Sequence, residues 1–274
     1  MIRNIGLAPL SALTTPSDEL IRMAANAGFS FVGLRVLAVT PDEPHYDLAP
    51  GSPLLNRTLR ALDETGLHVV DTEFLQVNAH TDRDTWLPAL EAAGALGATR
   101  FTVAAGDENL SRLTDTLGSL VADAAEFGVI PALEPITYRS VHSIPQAVAI
   151  AEATGVRVLA DTLHMARFGA TLDELHMAAD FIDMIQLCDS PLQAPAETEG
   201  LIYESRAARL APGDGEQPLA DFVAALPEDT LISVEVPNDA ELTLRGPQNW
   251  INHLYNTTRA MLEQPALIPV GGRK

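Results

Sequence analysis

Cysteine is almost missing from this sequence: Cys188 stands alone among 274 residues. An intrachain disulfide and a cysteine-based zinc site are thereby excluded. Basic side chains are scarce as well, 17 against 37 acidic ones, for a formal net charge of −20. Nucleic acids and anionic membrane surfaces bind through Lys and Arg, so neither is expected as a partner. No apolar run approaches the length of a membrane span, and the start of the chain lacks the pattern of a signal peptide. A soluble, cytoplasmic protein is the expectation. A glycine-rich dinucleotide fingerprint is also lacking, since the first strand-like run continues as GLAPLSALTTPS, which argues against a doubly wound open sheet.

What is present is a core-forming composition, 47% hydrophobic and 20% charged, arranged in a regular alternation. Apolar, β-branched runs of strand length occur at 3–9, 29–36, 66–74, 98–105, 128–135, 156–161, 181–189 and 229–237. Amphipathic stretches such as 17–28, 52–66, 86–97 and 119–128 fall between them. Gly28, Gly66, Gly97, Gly128 and Gly155 each end a helical pattern just before a strand, as expected of residues in the left-handed helix-ending conformation. Eight such units predict a closed (β/α)8 barrel, one domain over 1–264 followed by a tail, 265–274. The segments 38–52 and 189–215 read as irregular loops after strands two and seven, on the face where barrels keep their active sites.

Polar residues at the C-terminal ends of barrel strands converge on one mouth. Strands five to eight place Glu134, Asp161, Gln186 and Glu235 there, each flanked by apolar neighbours. Buried carboxylates are costly unless they are paired or bind a cation. Four oxygen donors on consecutive strands therefore predict a divalent-ion site, with Mn²⁺ or Mg²⁺ favoured over Co²⁺ or Zn²⁺.

These four residues, with the DTLH run 161–164, resemble the xylose isomerase-like TIM-barrel superfamily. That superfamily includes sugar and sugar-phosphate isomerases and epimerases, inosose dehydratase, 3-dehydroshikimate dehydratase and endonuclease IV. The segment ESRAARLAPGDGEQPL, 204–219, is similar to an Arg-plus-PG-x-G loop in many members. The resemblance implies that Glu134, Asp161, Gln186 and Glu235 ligate the metal. It implies too that His164 hydrogen-bonds substrate or supports the ligands and that Arg209 reaches the substrate; barrels of this family often pair as a homo-oligomer, and the oligomeric state of this chain is left open. Gln186 stands where ketose 3-epimerases of this group generally have His, and is similar to 3-dehydroshikimate dehydratases. The three-zinc endonuclease branch is rejected, because the seven histidines do not cluster at strand ends and the net charge repels DNA.

The implied activity is isomerisation or epimerisation of a sugar-like α-hydroxycarbonyl compound through an enediolate, with Glu134 and Glu235 as base and acid. A dehydratase or lyase acting on a cyclic polyhydroxy substrate shares the first proton abstraction, with His164 as base or acid. A ligand-binding barrel without catalysis is the third reading. Glu73 points either into the mouth or into a barrel layer. Arg35 either binds substrate or neutralises Glu73. His142 and Arg139, after strand five, are further substrate candidates, and His45 and Tyr46 are lid candidates. Cys188 reads as a small core residue, Asp189 as an orienting group for a ligand or for Arg209, and His68 as structural. The amides of PGDGE, 212–216, could meet an anion, but Asp214 and Glu216 oppose phosphate, so an unphosphorylated substrate is preferred.

Overall fold

The computed structural model describes residues 4–263. Eight strands follow one another: β1 (Ile5–Leu7), β2 (Phe31–Arg35), β3 (His68–Val77), β4 (Arg100–Ala105), β5 (Ile130–Glu134), β6 (Arg157–Asp161), β7 (Met184–Leu187) and β8 (Leu231–Val234). Each pairs in parallel with the next, and β1 also pairs with β8 through Gly6 and Ser233, so the sheet closes. The helices are α1 (Ser17–Ala27), α2 (Pro53–Thr65), α3 (Arg83–Ala95), α4 (Leu110–Ala125), α5 (Ile144–Thr154), α6 (Thr162–Phe168), α7 (Leu172–Ala178), α8 (Thr198–Ala207), α9 (Leu219–Ala224), α10 (Asp239–Arg245) and α11 (Pro247–Leu262). This is the expected single-domain (β/α)8 barrel; the tail 265–274 lies outside the described residues.

Gly28, Gly66, Gly97, Gly128 and Gly155 all have positive φ, from 69° to 107°. A side chain there would meet the left-handed steric penalty that glycine escapes, so these residues stop a helix and turn the chain towards the next strand.

Side chains alternate across a strand, and this period of two builds both core and mouth. One set, including Val32, Leu34, Leu133, Val158, Ile185 and Val234, packs in the layer shared with the helices. The other set forms a separate cluster of Phe31, Val70, Ala132, Leu159 and Met184, which fills the barrel interior. Two residues further along, on the same inward face, stand Glu134, Asp161 and Gln186. The apolar floor and the polar mouth are thus successive layers of one pattern.

Some boundaries differ from the sequence reading. β3 runs past residue 74 to Val77, and α4 starts at Leu110 rather than 119 because the Asn109 side chain accepts the Arg112 N–H and caps it. The segment 189–215, expected to be irregular, contains α8. That helix buries Glu204 and Ser205 while Tyr203 is exposed, so its apolar residues do not mark its inner face, and periodicity could not find it.

The floor sets a strict size limit. A Cβ on Gly6 would lie 2.0 Å from the ring of Phe31, which is itself buried. Gly6→Ala is expected to cost about 3 kcal/mol by overpacking, read as a lower midpoint in urea unfolding; an unchanged midpoint would show that the ring can yield.

Candidate metal and catalytic site

The corner between β6 and α6 is built by Asp161. It ends the strand and caps the helix, with Oδ1 accepting the backbone N–H of His164 at 3.0 Å. Thr162 Oγ1 donates to the Cys188 carbonyl at 2.8 Å and accepts the Cys188 N–H at 2.9 Å, which ties this corner to the end of β7. His164, one turn on, brings Nε2 within 3.7 Å of Glu134 Oε1. One ligand atom from each of Glu134, Asp161 and His164 lies within 4.8 Å of the other two, and all three residues are buried. This group can bind a metal ion.

The other expected ligands are arranged differently. Arg209 is 2% exposed, and its guanidinium stands between two of them. Nη1 donates to Asp161 Oδ2 at 2.6 Å and Nη2 lies 3.1 Å from Glu235 Oε2, while Nε donates to the Ser205 carbonyl at 2.8 Å. The resemblance implies that Arg209 reaches the substrate; in the structure it pairs with Asp161 and Glu235 at the cavity wall. Gln186 Nε2 donates to Glu235 Oε1 at 3.0 Å and to Glu73 Oε1 at 3.3 Å. Its Oε1 is buried and lacks a hydrogen-bond partner.

The loop after β7 exists in a form that delivers Arg209. Asn238 Nδ2 donates to the Arg209 carbonyl at 2.8 Å, Arg167 Nη2 to Glu204 at 2.6 Å, and Tyr138 and Ser205 hydroxyls meet at 2.7 Å. Asp189, expected to orient a ligand or Arg209, instead takes the amides of the glycine-rich turn: Ser190 N–H at 2.8 Å, and Gly213 and Gln217 N–H at 3.0 Å each. A Cβ on Gly215 would fall 2.4 Å from Asp189 Oδ1. The turn that could have met an external anion is filled by an internal carboxylate.

The resulting cavity encloses about 500 Å³ of empty space, open solvent at its mouth included. Arg35, Glu73, Glu134, His164, Arg209 and Glu235 all line it, as do Tyr138 and Arg139. His142 does not; it is exposed, with Nδ1 3.1 Å from the Arg139 carbonyl. His45 is exposed, Tyr46 donates to the Leu13 carbonyl at 2.8 Å, and Cys188 is buried in the core. His68 is exposed at the start of β3. Sequence reasoning missed Asp71, buried in β3 with both oxygens 2.9 Å from Thr102 Oγ1. The VVDTEF run offered its only signal, a second acid two residues before Glu73.

Burial dominates the electrostatics. It pushes Glu134 well above the usual carboxylate range, with the nearby Asp161 and Glu235 adding to the rise. Burial raises Glu235 to about 8, against the opposing pull of Arg209, and raises Glu73 to about 8, with Asp71 adding. Asp71 rises to about 7 by burial, against the Thr102 hydrogen bond. Burial is the largest single influence on Asp161 and would raise it, but the charge and hydrogen bond of Arg209, together with His164 and its backbone N–H, hold this carboxyl below its ordinary value. Burial lowers His164 to about 4, so its imidazole is neutral at pH 7.

The donor set fits a divalent cation. Glu134, Asp161 and His164 already lie within ligating reach, and the orphaned Gln186 oxygen is a buried acceptor without a donor. For the metal-free protein a linkage follows. Glu73, Glu235 and Asp71 hold protons in the folded state that the unfolded chain has released, so stability falls as pH rises from about 4, where the unfolded carboxyls ionise, to about 8, where the folded ones do. His164 acts in the opposite sense over the lower part of that window, between about 4 and 6.5. Urea unfolding after chelation should show this fall, and saturating Mn²⁺ should reduce it by binding only the folded form. A flat profile without metal would mean that the carboxyls are ionised throughout.

Comparison with known proteins agrees with this architecture. No curated protein matches the sequence significantly. A probable 3-DHS dehydratase, AsbF of Bacillus anthracis, is 12% identical with a TM-score of 0.69, over 94% of this chain and 98% of that one. A D-psicose 3-epimerase solved in the presence of D-fructose is 13% identical with a TM-score of 0.66, over 95% and 100%. An IolI protein with a bound zinc atom is 16% identical with a TM-score of 0.74, over 94% and 98%. A xylose isomerase-like/4-hydroxyphenylpyruvate dioxygenase fusion protein is 20% identical with a TM-score of 0.74 over 92% of this chain, which spans 41% of that longer one. At these identities the likeness is one of fold. The family model for the xylose isomerase-like TIM barrel matches residues 21–256, and the chain belongs to that family.

Proposed function

We propose that this protein is a divalent-metal-dependent isomerase or epimerase of a sugar-like α-hydroxycarbonyl compound, working by proton transfer through an enediolate. The observation that carries the reading is the buried group of Glu134, Asp161 and His164 facing Glu235 across Arg209 in one cavity. A divalent ion held by Glu134, Asp161, Gln186 and Glu235, with His164 in reach, supplies Lewis-acid polarisation of a carbonyl. The described residues contain no lysine, so none of them offers a Schiff-base route to the same end.

Glu134 and Glu235 come from β5 and β8, three strands apart around the rim, so they meet a bound substrate from different sides. Proton removal by one and return by the other is the arrangement that inversion or isomerisation needs. His164, neutral at pH 7, can accept a proton. Gln186 favours a second reading, a dehydratase, through its resemblance to dehydratases at this ligand position. In that case His164 takes the α-proton and, as the imidazolium so formed, returns it to the departing hydroxyl. Metal-assisted chemistry on a small polyhydroxy carbonyl compound is common to both readings. No described helix is long and apolar enough to cross a membrane.

The Mn²⁺-loaded protein, offered ketoses, inososes and 3-dehydroshikimate in D₂O, should wash deuterium into substrate without new ultraviolet absorbance. A conjugated product would instead identify the dehydratase. Glu134→Gln and Glu235→Gln should each lower the exchange rate by about 10²-fold or more and weaken Mn²⁺ binding in calorimetry. Unchanged metal binding in both variants would remove the basis of the proposal.

A further inference from the structure

Arg35 stands at the C-terminal end of β2, is 5% exposed and lines the cavity. Its Nε and Nη1 are buried without a hydrogen-bond partner. Two carboxylates approach but stop short, Glu43 Oε2 at 4.0 Å from Nε and Glu73 Oε2 at 3.9 Å from Nη2. Neither hydrogen-bonds Arg35, although Glu73 Oε2 is itself without a partner, and the guanidinium carbon lies 5.7 Å from the Phe74 ring centre. Glu43 takes Arg206 Nη2 at 2.5 Å and the Val39 N–H at 2.9 Å, and Glu73 Oε1 takes Gln186 Nε2 at 3.3 Å. Four arginines line the cavity: 35, 139, 206 and 209. Arg206 and Arg209 are hydrogen-bonded to carboxylates, whereas Arg35 is not and Arg139 Nε is buried without a partner.

A buried guanidinium with idle donors loses its hydration without replacement. In a cavity wall, the acceptor that restores it is an anionic group on the ligand. A planar carboxylate matches the guanidinium donors. Phosphate is commonly held by backbone amides of glycine-rich turns and helix starts, and here the turn amides of Gly213 and Gln217 are already given to Asp189. We infer that the substrate carries a carboxylate and that Arg35 binds it, which makes the substrate class a polyhydroxy keto acid rather than a neutral sugar. The inference rests on the proposed function for the reacting end of the molecule; Arg35 decides the other end.

The test compares D-fructose, D-fructuronate and D-fructose 6-phosphate, which differ only at C6, together with four- and five-carbon keto acids and their neutral alcohol counterparts. Binding to the Mn²⁺-loaded protein is measured by calorimetry, without reference to turnover. At least one keto acid should bind about 30-fold more tightly than its neutral counterpart. Arg35→Met should reduce that preference to less than about threefold while Mn²⁺ affinity is unchanged. Arg35→Lys, which keeps the charge but not the fork, should retain part of it and serves if the Met variant does not fold. Equal binding of acid and neutral sugar, tightest binding of the phosphate ester, no binding of any keto acid, or a preference that survives Arg35→Met would each overturn the inference. Arg35-dependent acid binding without deuterium exchange would sink the isomerase reading alone. Exchange on neutral ketoses with no acid preference would do the reverse.

Discussion

The pairing of Arg209 with Asp161 and Glu235 is the interaction on which the rest of this site depends. The barrel mouth holds five buried carboxyl groups, those of Asp71, Glu73, Glu134, Asp161 and Glu235, against two buried guanidinium groups, those of Arg35 and Arg209. Charges of one sign gathered away from water repel one another and resist ionisation. Glu235 and Glu73 rise to about 8 chiefly through burial, with neighbouring carboxylates adding, while Asp161, with Arg209 at 2.6 Å, is held ionised. The surrounding loop serves this contact. The Ser205 carbonyl and Asn238 amide hold Arg209 from either side, and Asp189 folds the following turn by taking its amide hydrogens.

The same strands build a stable floor and a costly mouth. Phe31, Val70, Ala132, Leu159 and Met184 close the barrel interior with apolar contacts, and the next inward layer spends part of that stability on polar groups that only a cation or a ligand satisfies. Buried atoms without a hydrogen-bond partner occur at Arg157, Thr230, Trp250 and Thr258, away from the cavity, but others gather around it. Gln186 Oε1, Glu73 Oε2 and the Arg35 nitrogens all belong to the mouth. Such placement is what a binding site requires, because groups already satisfied within the protein have little left to offer a substrate.

Much of this was legible in the sequence, for definite reasons. Strand and helix periods differ, so eight alternations could be counted, and five glycines with positive φ marked the helix ends. Glu134, Asp161 and Gln186 could be placed at the mouth because they sit two residues beyond the apolar floor on the same inward face. Less legible were contacts between distant segments. Asp71 lies 31 residues from Thr102, and Arg209 lies 48 from Asp161. The helix α8 buries polar residues and exposes Tyr203, which inverts the usual cue. Arg139 and His142 both follow β5 in the same loop, yet Arg139 lines the cavity and His142 faces solvent.

The sequence by itself determined the barrel, its single-domain extent over the described residues, and the identity of the polar groups at the strand ends. These follow from local periodicity and spacing, which each segment carries alone. The tertiary structure decided the pairing among those groups: that Arg209 neutralises Asp161 and Glu235, that Asp189 fills the glycine turn, and that Arg35 keeps idle donors in the cavity. Such outcomes depend on distances of a few ångströms between residues far apart in the chain, and only closure of the barrel sets those distances.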